Sequence, residues 1–243
     1  MNIYLNFRKS LSMVAIIAIV QGCYIDPFRE TVYGEGPVIK KAVDTEYFTG
    51  IRVSSGIDVF LRQDENLGVV VEADENLHEY IHHEVRNGIL IIDTEVNIRQ
   101  AKSKKVYISL PELREIQISS AGDVEGQGKF TCRKLDISVS SAGDLSLEVE
   151  AGEIRVSLSS AGDIRLSGKA DSLEARLSSA GDLDALRLKV EKADVAVSSS
   201  GNARIFVTRE LNARSSSSGD IYYLGNPEIK NIHVSSAGRV KSL

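Results

Sequence analysis

Over residues 135–183 hydrophobic residues alternate with polar ones in short, regular runs. Leu135, Ile137 and Val139 share one parity; Leu145, Leu147 and Val149 repeat the pattern. Ile154, Val156 and Leu158 follow, then Ile164 and Leu166, then Leu173, Ala175 and Leu177, then Leu183. A period of two sends alternate side chains to opposite faces, so these runs predict strands with one buried face. Helical coils would need a period of 3.6, which the runs lack.

One word separates the runs. "SSAGD" occupies 119–123, 140–144, 159–163 and 178–182, and variants follow as "SSSGN" (198–202), "SSSGD" (216–220) and "SSAGR" (235–239). Its glycines, Gly122, Gly143, Gly162, Gly181, Gly201, Gly219 and Gly238, are spaced by 21, 19, 19, 20, 18 and 19 residues. Repeats of about twenty residues predict a solenoid of stacked coils, and the leucine-rich pattern of that length is missing. The expected fold is all-β: a right-handed parallel β-helix or β-solenoid with two strands per coil and the word at the corner between them. Glycine accepts φ > 0, alanine is small enough to point inward at a bend, and Asp and Ser can bond backbone N–H groups that the bend leaves unpaired. On this reading Gly162→Val destabilises strongly and Asp163→Asn matters little.

The N-terminal part is less regular. Residues 1–22 read as an export signal: Arg8 and Lys9 form a basic start, Leu11–Val20 an apolar stretch, and Gly22 stands before Cys23. The closing "VQGC" resembles a bacterial lipobox with Val20 in place of the commoner Leu, so Cys23 is the expected acylation site and the membrane a partner through that anchor. Residues 23–45, with Pro27, Gly34, Gly36 and Pro37, read as a lipidated tether. Residues 46–118 read as a strand-rich lobe in which "SSGID" (54–58) is a variant of the corner word. Within that lobe Leu77, Tyr80 and Ile81 suggest a short helix over 74–85, and "KSKK" (102–105) a solvated loop. The solenoid proper is assigned to 119–243.

Composition narrows the function more than it defines it. The 243 residues are 42% hydrophobic and 26% charged, with 6% aromatics and no Trp, so the core is built from Val, Ile, Leu and Ala. A net charge of −5 argues against nucleic acid as a partner. With Cys23 acylated, Cys132 has no disulfide partner and is expected as a half-buried free thiol. Stacking the corners aligns Asp123, Asp144, Asp163, Asp182 and Asp220 into a carboxylate column, interrupted by Asn202 and ended by Arg239. Unit charges about 4.8 Å apart repel by about 0.9 kcal/mol in water and ~3.5 kcal/mol at an effective dielectric of 20. Ca²⁺ is therefore the one candidate cofactor, on this column, although the calcium β-roll word "GGxGxD" is absent. A serine nucleophile needs a base within hydrogen-bond reach, and of the four histidines His78, His82 and His83 cluster away from the repeats, with His233 the fourth. His78 and His82 could share a helical face as metal ligands, without an "HExxH" word. No phosphate-binding glycine loop is present. No catalytic residue is assigned.

The stretches "FTGIRVSSGIDVFL", "VEADENL", "VYISLPEL" and the repeated "SSAGD" through "SSAGRV" resemble the head GIN domain family, described as auto-transporter adhesin heads and common as exported bacterial lipoproteins. The resemblance spans about residues 46–243. It implies a β-helical scaffold with an adhesin-like, non-catalytic role in the cell envelope, anchored at the outer membrane and binding glycans or proteins. Two alternatives stay open: an envelope scaffold or sensing module, and a polysaccharide-active β-helix enzyme.

Overall fold

The computed structural model describes residues 29–243; the export signal and Cys23 lie outside the described residues. The N-terminal part contains β1 (Thr31–Tyr33), β2 (Val38–Val43), β3 (Gly50–Val53), β4 (Asp58–Gln63) and β5 (Gly68–Asp74). A 3-10 helix, Glu75–Glu79, leads to β6 (His82–Arg86), β7 (Ile89–Asp93), β8 (Asn97–Arg99), β9 (Lys104–Leu110) and β10 (Glu115–Ile118). The repeats then form β11 (Asp123–Val139), β12 (Asp144–Leu158), β13 (Asp163–Leu177), β14 (Asp182–Val197) and β15 (Asn202–Ser215). The last coils are β16 (Asp220–Leu224), β17 (Ile229–Val234) and β18 (Arg239–Ser242).

The solenoid is as the alternation predicts, with one difference in how a coil is built. Each full coil is one long bent strand rather than two, because parallel pairing to its neighbours continues through the bends. Inward residues form ladders. Leu135, Ile154, Leu173, Ala193 and Leu211 stack in register, as do Ile137, Val156, Ala175, Val195 and Ala213, and all are buried. Burying one such Val, Leu or Ile side chain is worth about 1.5–3 kcal/mol, so these ladders carry the stack, with no disulfide among the described residues.

The unequal repeat lengths are absorbed away from the corner. Three residues separate Glu125 from Lys129 where one separates their partners Ser146 and Glu148. That surplus of two is the difference between a 21-residue and a 19-residue spacing. The same level takes up one residue between Asp184 and Arg187. Bulges there keep every corner in register with the next.

The N-terminal part continues the stack instead of forming a separate lobe. β4 pairs in parallel with β11 and β9, β10 lies between β11 and β3, and β3 pairs with β7, all in one sixteen-stranded sheet. Antiparallel strands β5, β2 and β6 close this end, with Leu77 and Ile81 buried beneath them. Closing an end with antiparallel strands and inward side chains covers what would otherwise be an open core.

Three expectations are corrected here. The tether does not run to residue 45: β1 pairs with β8 and β2 with β5, so the chain is docked from Glu30, whose carbonyl accepts the Asn97 N–H at 2.7 Å. The helix over 74–85 is only the 3-10 turn Glu75–Glu79. From His82 the chain is strand, turning into β7 through Asn87 (φ 53°) and Gly88 (φ 74°), the "NG" hairpin signature with both central residues left-handed. "KSKK" is not a solvated loop, because Lys104 and Lys105 open β9, and the Lys102 and Ser103 N–H groups donate to the fully buried Asp74 carboxylate.

Candidate functional site

The corners form one edge of the solenoid, and their chemistry differs from the sequence expectation at the glycine. None of Gly122, Gly143, Gly162, Gly181, Gly201, Gly219 and Gly238 adopts a left-handed φ. The left-handed conformation falls on serine instead, as at Ser141 (φ 65°), Ser199 (φ 70°) and Ser236 (φ 55°). Glycine is required by closeness between coils. A Cβ on Gly143 would lie 2.7 Å from the Gly122 carbonyl oxygen, and one on Gly201 would lie 2.8 Å from that of Gly181. The first serine of each corner extends the backbone ladder: the Ser159 N–H donates to Val139 O at 3.0 Å and the Ser198 N–H to Leu177 O at 2.8 Å.

The aspartates do stack, and the column is longer than the repeats. Asp58 is the Cα partner of both Asp123 and Lys105, so the column begins at a lysine, runs through Asp58, Asp123, Asp144, Asp163 and Asp182, and ends at Arg239. Asp123, Asp144 and Asp182 each accept from the next coil. The Asp144 N–H donates to Asp123 Oδ1 at 3.2 Å, and the Asp163 N–H to Asp144 Oδ1 at 2.9 Å. Asn202 breaks the charge run and donates through Nδ2 to Asp182 Oδ1 at 2.8 Å. Arg239 Nε sits 3.5 Å from Asp220 Oδ1, while the Tyr222 hydroxyl donates to Asp220 Oδ2 at 3.1 Å. Burial, and then the Asp123 charge, push the Asp58 carboxyl above its ordinary range. The two ends of the column are thus cationic, and the sequence departure at Arg239 has an electrostatic place in it.

The remaining candidates are dispersed. His78 lies in the 3-10 helix with Nε2 3.2 Å from Ile39 O, whereas His82 is on β6, 3.9 Å from Asp93. The helical face that would have joined them does not exist. Among the described residues no three His, Cys, Asp or Glu side chains gather as metal ligands. Cys132 is a free, half-buried thiol on β11, and burial raises its pKa.

On the outer surface beside the corners, opposite charges pair within and between coils. Arg155 pairs with Glu153 at 2.5 Å and Glu174 at 3.7 Å, Arg176 with Glu174 at 2.5 Å, and Arg214 with Asp194 at 3.0 Å. Toward the C-terminal end a depression of about 390 Å³ opens between Arg176, Arg214, His233 and the corner serines. Sequence reading missed it, although these residues stand two positions before Ser178, Ser216 and Ser235, in three of the last four corners. Counting back from each corner would have aligned them.

Stacked parallel coils, a glycine-packed corner and repeated outer columns define an all-β solenoid protein. Residues 47–227 match the family described as "Putative auto-transporter adhesin, head GIN domain", and the chain belongs to that family. A solved structure described as a "putative adhesin" from Bacteroides fragilis superposes with a TM-score of 0.79 at 20% identity, covering 87% of this chain and 100% of that one. Two from Parabacteroides distasonis, described as a "putative adhesin" and a "putative lipid binding protein", give 0.70 at 23% and 0.71 at 22% identity. Each covers 88% of this chain and 100% of its own. At such identities they share the fold. No protein of curated function matches the chain.

Proposed function

We propose that the protein is an adhesin-like, non-catalytic binding protein of the cell envelope that takes glycans or proteins on the outer faces of its solenoid. The observation that carries this reading is the division of the molecule. The interior is filled by buried aliphatic ladders, and the exterior repeats polar and charged columns at the coil spacing of about 4.8 Å. A ligand is therefore met on a long, flat, repetitive surface, a geometry that suits extended partners. Acylation of Cys23 would hold the molecule by its N-terminal end, where β2, β5 and β6 close the stack, leaving the C-terminal coils farthest from the membrane. Attachment at the outer membrane through that anchor is part of the same proposal.

The test is an array of glycans and extracellular-matrix proteins probed with the chain from Tyr24 onward, with and without Ca²⁺. Reproducible, competable binding supports the reading, and loss on chelation would give the aspartate column a cation. A folded sample that binds nothing overturns it in favour of an envelope scaffold. Protease treatment of intact cells then decides the orientation: digestion means outward display.

A further inference from the structure

Beside the corner serines, one outward column reads Ser138, Ser157, Arg176, Ala196, Arg214 and His233 in strict register. Its C-terminal half carries Arg176, Arg214 and His233, with a single gap at Ala196. Ala196 holds the coil between two arginines, so their backbones stand two coil spacings apart, about 9.6 Å, and the depression of about 390 Å³ lies over the missing side chain. Each arginine is steadied from one side: Arg176 Nη2 donates to Glu174 Oε1 at 2.5 Å and Arg214 Nη1 lies 3.0 Å from Asp194 Oδ1. Both acids belong to the neighbouring outward column, which leaves the opposite flank to the hydroxyls of Ser178, Ser198 and Ser216. A guanidinium has five N–H donors in a planar fork, so one engaged donor leaves others free for a second oxyanion.

We propose that Arg176, Arg214 and His233, bracketing Ala196, form an anion subsite that takes the carboxylate or sulfate of an acidic glycan. An anion over Ala196 stands between the arginines of the coils on either side, and bidentate pairing suits planar carboxylates and sulfate edges alike. The serine hydroxyls both donate and accept, which matches the neutral hydroxyls that flank the charged group on a sugar. An acidic peptide would bring side chains in need of apolar anchors. Leu177 and Val197 also line the depression but are buried, so Ala196 is the one apolar residue of its lining left open as an anchor for a peptide. The proposal rests on the surface-binding reading above and names its ligand class and place.

The experiment measures binding of the chain from Tyr24 onward to polygalacturonate, heparin, dextran and poly-glutamate by calorimetry, with folding checked by circular dichroism. The wild type is expected to bind polygalacturonate or heparin, the stronger of the two identifying carboxylate or sulfate, and to leave dextran unbound. Ala196→Glu, which puts an acid in the gap, and the pair Arg176→Ser/Arg214→Ser are each expected to weaken that binding at least tenfold. Arg165→Ser/Arg204→Ser, on a different outward column, is expected to leave it unchanged. Equal affinity in all variants overturns the subsite while leaving surface binding intact, and poly-glutamate binding tighter than either polysaccharide overturns the glycan assignment. A folded wild type that binds none of these, yet binds partners on the array, also overturns the subsite alone; silence on both overturns the two readings together.

Discussion

Gly181 rests against the carbonyl oxygen of Gly162 one coil below: a Cβ on Gly181 would lie 2.6 Å from that oxygen and 2.5 Å from that of Ser160. The corner is thus a contact between backbones. Any side chain must push two coils apart, and overpacking of this kind costs about 1–3 kcal/mol. Gly181→Ala and Gly181→Asn should both lower the melting temperature by several degrees, at about 2–4 °C per kcal/mol for a chain of this size. A corner controlled by φ would instead favour Asn over Ala, since Asn tolerates the left-handed region. Thermal unfolding of the two variants separates the mechanisms.

Asp58 stands between Lys105 and Asp123 in the carboxylate column, and its pKa is raised by burial and then by the Asp123 charge. The folded state therefore holds this proton more tightly than the unfolded state does. The resulting stability is fully present below the unfolded value of 3.8 and is lost as pH rises through the folded value. Asp58→Asn should accordingly be more stable than the wild type at pH 7, with the difference closing at pH 3. Urea midpoints at the two pH values check it, and an equal gap at both would remove the electrostatic account.

Lys230 occupies, in the last coil, the inward ladder position filled by Leu211 one coil back. Exposed Ile232 and Val234 stand in the same strand. An inward charge on a terminal strand discourages end-to-end pairing. Lys230→Leu should make the apparent mass rise with concentration more steeply than that of the wild type in light scattering, and matching curves would count against this role.

Cys132 has its thiol pKa raised by burial and then by the Glu112 charge. The thiolate is the reactive form, so at pH 8 the folded protein should react with a disulfide reagent several-fold more slowly than the same chain in urea. Equal rates would show the thiol to be freely accessible.

Much of this architecture was readable in one dimension. Alternation over Leu135–Leu177 identified the buried face, and the spacing of Gly122 to Gly238 identified the coil, because both are set by neighbours along the chain. "NG" at 87–88 marked a hairpin that the helical spacing of Leu77, Tyr80 and Ile81 obscured; three apolar residues fit a 3-10 turn followed by a strand equally well.

Other features needed the assembled stack. β1 and β2 carry no strong alternation and are ordered by pairing with β8 and β5, far along the chain. The need for glycine at the corner arises from the carbonyl of the coil beneath, about nineteen residues away. The Lys105–Asp58 end of the column exists because β4 stacks between β9 and β11 despite the long excursion between them. The gap over Ala196 becomes a concavity only where Arg176 and Arg214 rise on either side of it. Periodicity thus fixed what each residue does within its coil. Tertiary structure decided which coils meet, because contacts across the stack depend on how every intervening bulge and excursion is accommodated.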